Sequence, residues 1–266
     1  MARFDGIFYS KELARPTHFV AVLCNDNAFG TENNPHYKRP TKNVYLLHGF
    51  SGCDTDWFSN APMGEIANKY NVNFFMPNGD NSFYLNNEAT GFRYASYVGE
   101  EFVNYTRKTF GLSDKREDTF IGGLSMGGFG ALHTGFMFNE TFSKILALSS
   151  ALIQGLIKVL SPEMDNNPMA NYDYYAWTFG IKDGVDFENS ENNPEYLVKK
   201  LVKEGKRIPE IYMACGTEDF LIQPNREFKA FLDENKVPVT FFTGPGVHDF
   251  AFWREQLVAG LEWAIK

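Results

Sequence analysis

Residues 119–132, TFIGGLSMGGFGAL, constrain this chain more than any other stretch: an apolar run of strand character, a turn centred on one serine, then a helix of small residues. A strand that reverses sharply into a helix at a serine is a nucleophile elbow, and Gly123, Ser125 and Gly127 fit its G-x-S-x-G pattern. Residues without a Cβ are expected on either side, because Ser125 must adopt strained backbone angles that carry its Oγ clear of the sheet. The pentapeptide alone is a weak pattern. A strand before it, a helix after it and suitable partners later in the chain make it strong.

Around the elbow, strands and helices alternate. Residues 18–24 and 43–48 are apolar or β-branched runs that read as an antiparallel lead-in to a sheet; 62–70 reads as a helix, 72–76 as a strand and 94–110 as a helix. Beyond the elbow, 145–148, 210–215 and 239–243 read as strands, and 224–234 and 250–265 as helices. This succession predicts an α/β fold with a mostly parallel sheet and helices on both faces. At 266 residues a single domain spanning 1–266 is expected. Residues 152–207 break the alternation and read as a small lid-like insertion over a pocket. They carry Tyr172, Tyr174, Tyr175, Trp177 and Phe179, then a short amphipathic helix starting near Pro194.

Composition narrows the partners. A formal net charge of −8 disfavours nucleic acid, which calls for clustered Lys and Arg, so a small-molecule substrate fits better. With 26 Phe, 13 Tyr and 4 Trp the chain is unusually aromatic, and some of that surface is expected to line a pocket. Cys24, Cys53 and Cys215 are an odd count without C-x-x-C spacing, which points to neither a disulfide framework nor a metal site. No cofactor and no metal are expected. The first residues, MARFDG, lack a basic segment leading into an apolar one, and no apolar run has the length of a membrane span, so a cytoplasmic location without membrane association is expected. The sequence leaves a homo-oligomer open.

A serine needs a base within hydrogen-bond reach and an acid to orient that base. In an elbow fold both follow the serine, in the order acid then histidine. His133 falls within the elbow helix and reads as a packing residue, whereas His248 lies in a loop between the last strand and last helix, at the sheet edge where ligands gather. His248 is the expected base. Asp219, after the strand ending at Cys215, is the expected acid, with Glu218 as the alternative; Asp249 reads as a helix N-cap. The oxyanion donors are expected to be the backbone N–H groups of Met126, which begins the elbow helix, and Phe50, in the loop LLHGFSG. His48 in that loop reads as a structural hydrogen-bonding residue. Asn78, which follows another strand end, and Trp177 are candidate substrate-binding residues.

With these residues in view, the chain resembles the esterase D and tributyrin esterase group of α/β-hydrolases, related to feruloyl and acetylxylan esterases and S-formylglutathione hydrolases. The resemblance runs over nearly the whole chain: Leu47 to Gly52 with Asp56 and Trp57, Met76 to Asn78, Tyr97 to Phe102 with Glu101, Gly123 to Gly128, Cys215 to Leu221 and Gly246 to Trp253. It implies an α/β-hydrolase fold, roles for Ser125, Asp219 and His248 as nucleophile, acid and base, and roles for Phe50 and Met126 as oxyanion donors. The implied activity is hydrolysis of short acyl or hydroxycinnamoyl esters through an acyl-enzyme. Leu124 stands before the serine where S-formylglutathione hydrolases usually have histidine, which counts against that thioester and makes Leu124 a candidate specificity residue. An acyltransferase on the same acyl-enzyme, as in the similar mycolyltransferases, is the alternative. A non-catalytic binding protein of this fold is the reading from a different class.

Overall fold

The computed structural model of the chain describes residues 1–25, 31–164 and 170–266. In chain order the elements are β1 (Ala2–Ser10), β2 (Arg15–Leu23), β3 (Lys42–Leu47), α1 (Asp56–Asn60), α2 (Met63–Tyr70), β4 (Val72–Pro77), β5 (Asn86–Asn87), β6 (Phe92–Arg93), α3 (Tyr94–Ser96) and α4 (Phe102–Phe110). There follow β7 (Thr119–Leu124), α5 (Met126–Met137), β8 (Lys144–Leu148), α6 (Gln154–Lys158), α7 (Tyr172–Thr178), α8 (Pro194–Glu204), β9 (Glu210–Gly216), α9 (Ile222–Glu234), β10 (Val239–Gly244) and α10 (Phe250–Ala264). A π-helical turn over Tyr97–Glu101 joins α3 to α4, so the helix expected across 94–110 is continuous but locally widened.

Eight strands form one sheet in the order β1-β2-β4-β3-β7-β8-β9-β10, and from β4 to β10 all neighbours are parallel. The antiparallel lead-in is β1 with β2, and β2 with β4; β3 is parallel to both of its neighbours, so it does not belong to that lead-in. The edge strand β1 has no counterpart among the strands expected from the sequence. It carries Arg3, Asp5 and Gly6 among its apolar residues and leaves Ile7 and Tyr9 largely exposed, so it lacks a buried apolar run.

Strand residues alternate between two cores. Val44 and Leu46 face the core made with α2 and α10, while Tyr45 and Leu47 face the one made with α4, α5, α8 and α9; Phe74 and Phe75 divide in the same way. The sheet is thus covered on both faces, as the alternation predicted. Among the described residues no helix is long and apolar enough to cross a membrane. Of the 152–207 stretch, 165–169 lie outside the described residues; the rest forms α6 to α8 and short 3-10 turns. Asn193 caps α8, whose second residue-type signal is Pro194 in its first turn, and Gly205 closes it in the left-handed region. Phe179 is fully buried against Phe83 and Phe129 and joins the stretch to the elbow helix.

Candidate active site

The elbow joins β7 to α5. Ser125 has φ 55° and ψ −119°, a conformation that L-residues rarely adopt. The flanking glycines serve a different need from the one the pattern suggests, since the strained angles belong to the serine itself. A Cβ on Gly123 would lie 2.3 Å from the Gly127 carbonyl oxygen, and one on Gly127 would lie 2.4 Å from that of Leu47. Close backbone approach excludes side chains at both positions. The serine is also held from outside its own strand: its N–H donates to Leu148 O at 2.9 Å, and its carbonyl accepts from Ala151 N at 2.9 Å.

His248 follows β10, and its Nε2 lies 3.0 Å from Ser125 Oγ, from which it can accept a hydrogen bond. Its Nδ1–H donates to Asp219, at 2.9 Å to Oδ2 and 3.1 Å to Oδ1. The Asp219 side chain is fully shielded from solvent and that of His248 is 19% exposed. Burial alone would push the Asp219 carboxyl up. Hydrogen bonds from His248 and the Leu221 N–H, with the Ser149 hydroxyl, outweigh it and hold the group below the ordinary carboxylate range. Phe220, on one side, and Trp253, on another, pack against the imidazole with ring centroids at 4.5 and 4.9 Å.

Glu218 does not reach the histidine. Its carboxylate accepts from Gly246 N–H at 2.7 Å while its own N–H donates to Gly246 O at 3.1 Å, and Thr217 N–H donates to Gly244 O at 2.8 Å. These bonds staple the loop carrying Asp219 to the loop carrying His248. Asp249 caps α10 by accepting from Phe252 N–H at 3.0 Å. His133 is completely buried on α5 and bonds through Nε2 to Glu191 O at 2.8 Å.

Met126 directly follows the serine, and Gly49, next to Phe50, approaches it closely enough that a Cβ there would lie 3.4 Å from that of Ser125. Met126 opens α5, where the first N–H groups have no intrahelical acceptor and the helix dipole favours negative charge. Phe50 lies in the loop after β3, which is fixed at several points: His48 Nδ1–H donates to Gly49 O at 2.8 Å, His48 Nε2 accepts from Gly79 N–H at 2.8 Å, and Tyr84 donates to His48 O at 3.0 Å. Burial pushes the His48 imidazole below its ordinary value, which suits a neutral ring donating at one nitrogen and accepting at the other. Ser51 N–H donates to Asn81 Oδ1 at 2.7 Å.

The three substrate-binding candidates fare differently. Leu124 is 3% exposed and lies beneath Gly49, so it packs the loop from below rather than lining a cavity. Asn78 is half-buried and gives its amide nitrogen to Asp80 at 2.9 Å. Trp177 is 46% exposed and lines a cavity of about 200 Å³ with Asp80, Asn81, Phe92 and Tyr94. Ser125 and His248 are not among its walls; Asn81 links it to the Phe50 loop, as does Tyr174, which donates to Asn81 O at 2.7 Å and packs its ring on Phe50. Tyr174 stands in the sequence only as one of several aromatics in the lid-like stretch, and the roles of Asn81, Tyr84 and Tyr174 each rest on a contact distant in sequence. Only the run NGDNSFY after a strand end marked the first two.

The Esterase family model matches residues 32–264. An acetyl esterase of Caldicellulosiruptor saccharolyticus is 41% identical over 266 residues, covering 100% of this chain and 99% of its own. Among solved structures, FphF of Staphylococcus aureus, described as a fluorophosphonate-binding serine hydrolase in a substrate-bound state, is 30% identical with a TM-score of 0.84 over 100% of this chain and 98% of that one. The S-formylglutathione hydrolase FrmB of Staphylococcus aureus is 29% identical with a TM-score of 0.80, over 100% and 99% of the two chains.

Proposed function

We propose, for a chain that belongs to the Esterase family and is a serine carboxylesterase, that Ser125, His248 and Asp219 act as nucleophile, base and orienting acid on short acyl esters, acetyl esters foremost. The observation that carries this reading is the continuous hydrogen-bonded path from the Asp219 carboxylate through both nitrogens of His248 to the Ser125 hydroxyl. Ser125 Oγ attacks the acyl carbon as His248 Nε2 takes its proton, and the ester oxygen leaves with that proton. Water then repeats the sequence on the acyl-enzyme, giving the acid and free Ser125. The tetrahedral oxyanion is held by the N–H groups of Phe50 and Met126, each worth roughly 3 kcal/mol in the transition state.

The 41% identical acetyl esterase supports the short acyl group. We infer that the cavity beside Trp177 receives the part of the substrate beyond the acyl carbon, because Asn81 belongs both to its wall and, through Ser51, to the oxyanion loop. On this reading Asn81 takes the contact expected of Asn78, and 152–207 is an insertion over the site of one domain, supported by Tyr174 touching both Phe50 and Asn81. A cytoplasmic setting belongs to the same proposal, supported by three unpaired thiols; cell fractionation tests it, and recovery outside the cytoplasm would refute it.

The deciding experiment compares kcat/KM for acetyl, butyryl, octanoyl and feruloyl esters and for an S-formyl thioester, in wild type and Ser125→Ala. Acetyl or butyryl esters should lead octanoyl by at least about tenfold. Ser125→Ala should lose turnover by on the order of a millionfold. Hydrolysis near the wild-type rate in Ser125→Ala would end the assignment of roles, and a leading thioester or feruloyl ester would overturn the acyl preference.

A further inference from the structure

Two buried groups beside the reacting residues have no part in the steps above. Trp253, in the first turn of α10, meets His248 edge-on, with ring planes at 89°. Its indole Nε1–H donates to the Ser149 hydroxyl at 3.0 Å. Ser149 directly follows β8, is completely buried, and sits at φ 44°, held there by its N–H donating to Ala214 O at 2.7 Å. Its hydroxyl is among the groups that hold the Asp219 carboxyl down, and it acts on the neutral Cys215 thiol as well. A hydroxyl that accepts from the indole keeps its own hydrogen for an acceptor, and Asp219 is the charged acceptor within reach. Packing alone requires neither an indole N–H nor a serine in a left-handed backbone conformation.

We propose that Trp253 and Ser149 are positioning residues: the path from indole N–H to serine hydroxyl to Asp219 fixes the carboxylate against His248 and governs how readily His248 takes the Ser125 proton. The proposal rests on the roles given above to Ser125, His248 and Asp219. Asp219 receives hydrogen bonds from His248 and Leu221 N–H besides the Ser149 contact, so its charge is shared among several donors. Removing one donor concentrates that charge on the bond to His248, which then holds its proton more tightly. The other titratable groups around the pair are Cys215, Glu218, Asp249 and Arg226. Burial, with Asp219 adding to it, pushes the Cys215 thiol up to about 12 and keeps it neutral; Glu218 is engaged by Gly246 N–H, Asp249 caps α10, and Arg226 acts on Cys215.

Trp253→Phe keeps a ring against His248 and removes the N–H, and Ser149→Ala removes the hydroxyl. Either should lower kcat by roughly tenfold with KM little changed, and move the acid limb of kcat/KM upward by roughly half a pH unit. The double variant should be no worse than the worse single one, because both break one path. The low-field proton resonance of the His248–Asp219 hydrogen bond should shift in Trp253→Phe, a reading independent of turnover and of whether Ser149→Ala folds. Wild type is first treated with a fluorophosphonate and the modified residue identified. A label anywhere but Ser125 means that the underlying roles are wrong. With Ser125 labelled, an unmoved resonance, an unmoved acid limb or additive losses would overturn the positioning role alone.

Discussion

The elbow and the 152–207 stretch are held by different forces. At the elbow, backbone packs on backbone: the space a Cβ would need at Gly123 or Gly127 is filled by carbonyl groups of the main chain. In the 152–207 stretch the contacts are ring on ring, Phe179 with Phe83 at 5.0 Å and Tyr174 with Phe50 at 5.4 Å, joined by side-chain bonds such as Asn87 to Trp177 O at 2.7 Å. Main-chain packing leaves no adjustable side chain at the turn, so the position of Ser125 is fixed by the fold. Ring packing tolerates exchange of one ring for another, so the wall beside Trp177 can change while the reacting groups stay where they are.

The largest break in that contrast comes from the fixed side. Asp219→Asn should cost on the order of ten-thousandfold in kcat, because an amide donating to Nδ1 leaves His248 in the tautomer that cannot accept from Ser125. Glu218→Gln should cost far less, since a glutamine oxygen can still accept from Gly246 N–H. Steady-state rates of both variants decide it, and the reverse ranking would exchange their roles.

A smaller effect probes the joint between the two regions, where His133 of α5 donates to Glu191 O. Burial holds its pKa down at about 4 against an ordinary 6.5. The folded state therefore binds this proton less readily than the unfolded chain does. The stabilising contribution is whole above about pH 6.5 and is lost as pH falls toward about 4, by roughly 3 kcal/mol if the whole difference is expressed. Urea unfolding across that window should show His133→Gln losing less stability than wild type, although both share every other titrating group. Parallel curves would show that His133 does not carry the loss.

The smallest effect belongs to the exchangeable side. If Trp177 lines the pocket, Trp177→Ala should lower the ratio of kcat/KM for aryl or short-acyl esters over octanoyl esters by about three- to fivefold, with little change in Tm. Its exposure of 46% leaves little apolar area to lose from the core. An unchanged ratio with a large fall in Tm would make it a packing residue, and the contrast between fixed and exchangeable regions would lose its functional meaning.

The same contrast explains what could be read from sequence. β3, β4 and β7 to β9 announce themselves because strands buried on both faces read as apolar runs, the edge strand β10 because its run VTFFT is β-branched and aromatic, and the elbow because close backbone approach demands glycine. Ser125, Asp219 and His248 could be put forward because their order along the chain follows from the topology. β1 was invisible because an edge strand needs no buried run. Ser149 was invisible because in the run LALSSAL a serine bonded to a distant indole looks like any polar residue ending a strand. Trp253 left a fainter signal: a capped helix begins directly after His248, which brings its first turn back beneath the imidazole.

The staple between the Asp219 and His248 loops has a mechanical consequence. Thr217 and Glu218 are tied to Gly244 and Gly246 by several bonds, so thermal displacement moves acid and base together, as a common mode that leaves their separation unchanged. Ser125 is anchored elsewhere, to the chain at Leu148 and Ala151. Differential motion therefore concentrates in the 3.0 Å gap between His248 Nε2 and Ser125 Oγ, the gap that the proposed proton transfer has to cross. Warming should loosen that gap well before the imidazole parts from its carboxylate, so the protein would stop turning over while its acid–base pair was still assembled.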